Sequence, residues 1–357
     1  MIVVIADDLS GAAELAGAAW RHGLSAEVQT MFAAGTNAEV VCVATDTRSL
    51  PAGQAARIVT TITQEIAATK PDWIFKKCDS VLRGPVLPEA RAAAQAAGKR
   101  RIVILSANPS RQRVIRNGIY YVAGVPLHAT LFAHDPEHPR TTSQLKELLG
   151  GDLSGVETPD VESAADLRRH AATVDDQTLA VGGVDFFDTL LQLRVASRPP
   201  PLDPVPVPPL VGETLLVCGS AAAWSQRQAE AVAQGIPFFP LPHDTGAIVQ
   251  AFHLAGRVLI GIGHGPVSQG LPSDVLVKKL ADTVSDILRM TSVSRLLTEG
   301  GATTAAVMQA RGWTRLQACA APASGISVLR PAGAAGPWLF IKPGSYAWPP
   351  EIWPGRP

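Results

Sequence analysis

The sequence predicts an α/β protein of two domains, each a mainly parallel sheet covered by helices, with the active site in the interdomain cleft. Short apolar runs alternate with Ala-rich stretches from the first residues onward. Residues 198–209 then hold seven prolines in twelve positions, which neither a helix nor a central strand accommodates. The alternation afterwards resumes. The boundaries drawn from this are a domain at 1–197, a stiff Pro-rich linker at 198–210 and a second domain at 211–357. A chain of 357 residues leaves each domain room for its own core.

Within the first domain, residues 1–6, 39–44, 73–77 and 101–106 are short β-branched runs and read as strands. Residues 51–69 and 85–97 are longer, Ala-rich and helical in pattern. Residues 118–127 break the rhythm and read as a β-hairpin turning on Ala123-Gly124. Residues 178–181 and 185–195 add a strand and a helix. In the second domain the clearest strands are 214–218, 258–262 and 339–342, and the clearest helices 222–234, 273–290 and 303–310.

Composition excludes several classes. Lys and Arg total 31, as do Asp and Glu, so no bulk charge favours nucleic acid or a membrane surface. No apolar stretch is long enough to span a bilayer, and two acids follow the first strand too soon for a signal peptide, so a cytoplasmic protein is expected. Cys42, Cys78, Cys218 and Cys319 are widely spaced and read as buried, reduced thiols. The eight histidines form no metal pattern, and no protein metal site is expected.

The most informative local feature is Asp7-Asp8 at the end of the first apolar run, followed by Leu9-Ser10-Gly11 and an Ala-rich helix. Open α/β sheets place their ligand crevices at the carboxyl ends of strands. Two adjacent acids there need a metal, a basic partner or a substrate proton to offset their repulsion; the bland alternative is one helix cap and one solvated acid. A second cluster, Lys76-Lys77-Cys78-Asp79-Ser80-Val81-Leu82-Arg83-Gly84-Pro85, follows the strand that begins at Trp73. Lys77 and Arg83 suit an anion, Arg83 as a bidentate fork, while Asp79 and Ser80 suit hydroxyls. The competing reading is an ordinary polar loop in which Asp79 pairs with Arg83. A third strand end carries Asn108, Arg111, Arg113 and Arg116, a basic loop of a kind that is usually just solvated.

Glycine-rich turns take over in the second domain: Cys218-Gly219-Ser220, Thr298-Glu299-Gly300-Gly301-Ala302-Thr303 and Ile341-Lys342-Pro343-Gly344. Glycine at such turns lets backbone N–H groups approach phosphate oxygens, although any turn uses glycine. Neither GxxxxGK[ST] nor GxGxxG occurs.

These motifs, in this order, resemble those of the four-carbon acid sugar kinases, formerly a domain of unknown function. Ala6-Asp7-Asp8-Leu9-Ser10-Gly11-Ala12 is similar to the family's Ala-Asp-Asp-Leu-Thr-Gly-Ala, and Lys77-Cys78-Asp79-Ser80-Val81-Leu82-Arg83-Gly84 to its Lys-x-Asp-Ser-Thr-Leu-Arg-Gly. Val122-Ala-Gly-Val-Pro-Leu127 with Asp135-Pro136 matches a third motif. Gly300-Gly-Ala-Thr303 and Lys342-Pro-Gly-Ser-Tyr-Ala347 resemble the C-terminal Gly-Gly-Asp-Thr and Lys-Pro-Gly-Gly-Phe-Gly, with Ala302 in place of the family's aspartate.

The resemblance implies an ATP-dependent, magnesium-assisted kinase that phosphorylates the terminal hydroxyl of threonate, erythronate or 3-oxo-tetronate. It implies Asp8 or Asp79 as the group that orients the hydroxyl and accepts its proton. Asp7, Ser10, Lys77, Ser80 and Arg83 would bind the sugar acid, and Ser220, Gly300, Gly301, Ala302, Thr303 and Gly344 the nucleotide. Rival expectations are a non-catalytic sugar-acid-binding protein on the same fold, motivated by Ala302, and a kinase of another small hydroxy acid. The expected partner is a small sugar acid, not nucleic acid or a membrane, and a homodimer is the assembly considered.

Overall fold

The computed structural model describes residues 1–135, 137–195, 212–333, 336–344 and 346–354. Two compact units divide the chain, Met1–Pro201 and Leu202–Pro357. The linker expected at 198–210 lies outside the described residues.

The first unit contains β1 (Ile2–Ala6), α1 (Leu9–Arg21), β2 (Ala26–Gln29), β3 (Val40–Ala44), α2 (Ala52–Ala68), β4 (Trp73–Lys77), α3 (Val86–Ala96) and β5 (Arg101–Leu105). There follow β6 (Arg113–Arg116), β7 (Ile119–Val122), β8 (Val125–Pro126), α4 (Leu145–Leu149), β9 (Val156–Glu157), α5 (Ala164–Ala171), β10 (Thr178–Gly182) and α6 (Val184–Arg194). Its main sheet runs β2-β3-β1-β4-β10-β5-β9, every pair parallel. β1 and β3 are buried along their whole length, as strands covered on both faces require. The Ala- and Gly-rich sequence of α1 lets this helix lie close against the sheet, with Leu9 through Ala19 all buried.

β6, β7 and β8 form a separate antiparallel sheet. Ala123 (φ 49°) and Gly124 (φ 79°) make its two-residue turn in the left-handed conformation that such hairpins need, at the position the sequence indicated.

The second unit contains β11 (Thr214–Cys218), α7 (Ala221–Ala233), β12 (Phe238–Pro240), α8 (Thr245–Ala255), β13 (Arg257–Gly261), α9 (Pro266–Gly270) and α10 (Ser273–Met290). It continues with β14 (Arg295–Glu299), α11 (Gly301–Arg311), β15 (Arg315–Ala323), β16 (Ile326–Pro331) and β17 (Trp338–Lys342). Strands β12-β13-β11-β14-β17 are parallel, whereas β16 pairs antiparallel with both β17 and β15. That antiparallel edge departs from the uniform alternation expected from the sequence. After β17 the described residues form no helix. Arg295 donates to the Ile352 carbonyl (3.2 Å), Arg257 to that of Pro354 (2.8 Å), and the Trp353 indole to Glu230 (3.1 Å).

The strand order places a switch point in each unit. From β1 the chain moves out to β2 and β3, then crosses back to β4; from β11 it moves to β12 and β13, then back to β14. Loops at such a reversal diverge and leave a crevice at the carboxyl strand ends.

Candidate active site

Asp7 and Asp8 leave β1 at the first of these reversals, and Cys78-Asp79 leaves β4 beside them. Asp8 is the N-cap of α1: its Oδ1 accepts from Gly11 N (2.9 Å), and its Oδ2 from the Ser10 hydroxyl. A Cβ at Gly11 would stand 2.7 Å from Asp8 Oδ1 and 3.4 Å from Lys77 Nζ, so glycine is what lets the cap, the lysine and the helix meet.

One guanidinium that the sequence reading missed joins these acids. Arg48, beyond β3, donates through Nε to Asp7 Oδ2 and through Nη2 to Asp8 Oδ1, each at 2.7 Å, and its Nη1 lies 3.8 Å from Asp79 Oδ1. It supplies the basic partner that the adjacent acids demanded. Asp7 keeps one buried oxygen, Oδ1, without a hydrogen-bond partner.

The loop after β4 is built on Asp79. Its Oδ2 accepts from the backbone of Val81 (3.0 Å) and Arg83 (3.1 Å) and from Arg83 Nε (3.0 Å), while Oδ1 accepts from Arg83 Nη2 (2.8 Å). Arg83 Nη1 reaches Asp135 Oδ2 at 3.0 Å. The fork that the sequence reading offered to a ligand carboxylate is thus engaged by Asp79, the pairing of the competing reading. Leu82 is fully buried at φ 62°, a left-handed conformation costly for a leucine and held by the bonds on either side of it.

Burial opposes charge on Asp79, but Arg83, Arg48 and Lys77 outweigh it and hold the carboxyl well below the usual carboxylate range. Burial likewise opposes charge on Asp8, and Arg48, Lys77, Ser10 and Gly11 together lower its pKa. Asp46, another residue the sequence reading passed over, is shifted the other way, by partial burial and then by the charge of Asp8.

The two lysines part company. Lys76 is fully buried against Glu89 at 2.7 Å, a structural ion pair, whereas Lys77 bonds the Cys78 carbonyl (2.7 Å) beside Gly11 and Asp8. Ser80 is held by the small sheet: its hydroxyl accepts from Arg113 and its carbonyl from the Tyr120 hydroxyl.

In the second unit β11, β14 and β17 are neighbours, so the three glycine-rich turns stand side by side. Ser220 caps α7 through Ala223 N (3.3 Å). Gly300 (φ 95°) precedes α11, which opens with Gly301, Ala302 and Thr303. Atoms do not crowd the place where a Cβ would sit on Gly300 or Gly344. Gly219 differs: its Cβ would fall 1.8 Å from Thr303 Oγ1, so the turn after β11 touches the first turn of α11. Beneath these turns Glu299 is buried in ion-pair contact with Lys342 Nζ (2.6 Å) and Arg227 Nε (3.3 Å).

The four cysteines are free and buried; burial pushes Cys78 and Cys218 up to about 12 and Cys319 to about 11. Among the described residues, no group of His, Cys, Asp or Glu is arranged to hold a metal, and no helix is long and apolar enough to cross a membrane.

Residues 2–189, more than half of the chain, match the family described as the sugar-binding N-terminal domain. The chain belongs to that family. Both switch-point acids, the Arg48 clamp and the Asp79 loop lie inside this sugar-binding domain. Its relatives bear out the resemblance to four-carbon acid sugar kinases. A D-threonate kinase of Bordetella bronchiseptica is 33% identical over 236 residues, 64% of this chain and 56% of that enzyme. A 3-oxo-tetronate kinase of Brucella melitensis is 28% identical over 249 residues, 64% of this chain and 54% of that enzyme. The chain therefore spans little more than half the length of these curated relatives in the matched stretches. A crystal structure from Salmonella typhimurium LT2, described as a tRNA synthase, superposes with a TM-score of 0.76 over 97% of this chain and 96% of the other. At 18% identity it speaks for the fold alone.

Proposed function

We propose that this protein is an ATP-dependent kinase that phosphorylates the terminal hydroxyl of a four-carbon sugar acid. The observation that carries the proposal is the convergence of Asp7, Asp8 and Asp79 on Arg48 at the switch point of the sugar-binding domain. Buried carboxylates there, with Asp8 and Asp79 held ionised, are acceptors for the hydroxyls of a small polyol acid. The unpartnered Oδ1 of Asp7 is one such acceptor already in place.

In this reading Asp8 or Asp79 orients the attacking hydroxyl and receives its proton. Ser10, Lys77 and Ser80 complete the sugar site, and Arg83 keeps Asp79 charged and the loop closed. Phosphoryl transfer rests mostly on positioning and charge stabilisation, so fixed, ionised carboxylates suit it. The second unit would hold ATP at Ser220, Gly300, Gly301, Ala302, Thr303 and Gly344. The open space at Gly300 and Gly344 and the N-termini of the long helices α7 and α11 fit a polyphosphate. Magnesium, when bound, would neutralise the phosphate charge, arriving on the nucleotide rather than in a protein cage. Four buried free thiols suit a reducing compartment such as the cytoplasm.

Ala302 favours a second reading, a sugar-acid-binding protein that does not use ATP, because this exposed position in the first turn of α11 offers no carboxylate. ATP consumption against a panel of threonates, erythronates and 3-oxo-tetronates with magnesium decides between them. Turnover of one member supports the kinase and names its substrate. Stabilisation by a sugar acid, with neither turnover nor stabilisation by ATP-magnesium, supports the binding protein.

A further inference from the structure

Around the Asp79 loop, Arg48 and Arg83 are each held by carboxylates: Asp7 and Asp8 in the first case, Asp79 and Asp135 in the second. Arg113 is different. It opens β6, tied back to Asn108 by reciprocal backbone bonds of 2.8 and 3.1 Å, and is only 8% exposed. Its guanidinium donates to the Ser80 hydroxyl and lies 5.4 Å from the centroid of the Phe132 ring. Among the described residues no carboxylate is within ion-pair distance of it.

An arginine cannot shed its proton, so a buried one needs an anion or a generous set of acceptors. A single hydroxyl and one aromatic face compensate only part of the lost hydration. The hydroxyl belongs to Ser80, in the same loop as Asp79 and Arg83, which ties Arg113 to the loop that carries the proposed sugar site. A planar guanidinium fits a carboxylate through two parallel bonds.

We infer that Arg113 is the residue that binds the carboxylate of the sugar acid and so selects the acid over the uncharged polyol. The inference rests on the sugar-acid reading above and reassigns the anion-binding role from Arg83, whose fork Asp79 occupies. Asp7, Asp8 and Asp79 would then face the hydroxyl-bearing carbons, with the carboxylate at the Ser80 and Tyr120 end.

Calorimetric titration of the full chain with D-threonate, 3-oxo-tetronate and neutral threitol, in the wild type and in Arg113→Gln and Arg113→Lys, tests this. The wild type should prefer the acid. Arg113→Gln should lose about 10- to 100-fold in acid affinity and leave threitol binding unchanged. Arg113→Lys, which keeps the charge and the packing of the stem, should recover part of the loss. In steady-state assays at saturating ATP the effect should fall on KM for the acid more than on kcat. Acid affinity within twofold of wild type in both variants overturns the inference while leaving the sugar-acid reading standing. A wild type that binds neither acid overturns the sugar-acid reading and this inference together.

Discussion

A Cβ on Gly84 would stand 2.6 Å from the backbone carbonyl oxygen of Arg48. The loop after β4 therefore rests directly on the loop after β3, and Arg48 is aimed at Asp7 and Asp8 from a backbone that Gly84 supports. Gly84 also sits at φ 80°, where a side chain is strained whatever the space. Gly84→Ala is expected to destabilise the protein by about 1–3 kcal/mol and to cost sugar-acid turnover beyond that loss. Urea unfolding beside steady-state kinetics measures both; unchanged stability would separate the two loops.

Removing Arg48 should be more damaging. Its guanidinium holds two buried carboxylates at 2.7 Å, and removing it leaves both without the cation they share. Arg48→Met is expected to lower stability by about 3–5 kcal/mol, with Asp7→Asn in the same chain restoring part of it. Additive losses in the double variant would show that the pair is not coupled.

Acid should unfold the sugar-binding domain through the same groups. The folded pKa values of Asp8 and Asp79 lie below the value of about 4 expected in the unfolded chain. Their stabilisation is complete above about pH 5 and is lost as pH falls below about 4 toward the folded values. The melting temperature should be level from pH 7 to 5 and fall steeply below 4. Asp79→Asn should melt lower at pH 7 yet show a shallower acid limb.

In the second unit Gly219→Ala drives a methyl into Thr303 and must push the β11 turn away from α11. ATP affinity is expected to weaken by at least tenfold, while binding of the sugar acid in the other unit stays within twofold. Titration with each ligand separately reads this out, and equal losses for both would mean global damage instead.

Where local sequence alone sets an element, the chain declared its structure. The apolar run before Asp7 and the Trp73 run before Lys77 became neighbouring strands, so two charged loops legible as motifs became one site. Ala123-Gly124 announced its hairpin for the same reason. Arg48 was not legible: Thr45-Asp-Thr-Arg48 is an unremarkable polar stretch, and the carboxylates that give it meaning are 41 and 40 positions back. Arg113 lay in a basic loop that carries no local sign of being buried 33 residues from Ser80. β2 hid because Glu27 and Gln29 point inward and satisfy each other at 2.8 Å, which spoils the apolar pattern of a buried strand. The β15–β16 pair was overlooked because the parallel rhythm of the preceding strands was carried forward over a tight antiparallel turn at Gly325 (φ 77°).

The central place of β1 also governs how the protein can be made. This strand is synthesised before both of its neighbours, β3 ending at Ala44 and β4 at Lys77. Until Lys77 has left the ribosome, five consecutive apolar residues wait with at least one unpaired edge exposed to other nascent chains. The growing polypeptide, rather than the finished protein, is therefore where aggregation is to be expected and where a chaperone has something to hold.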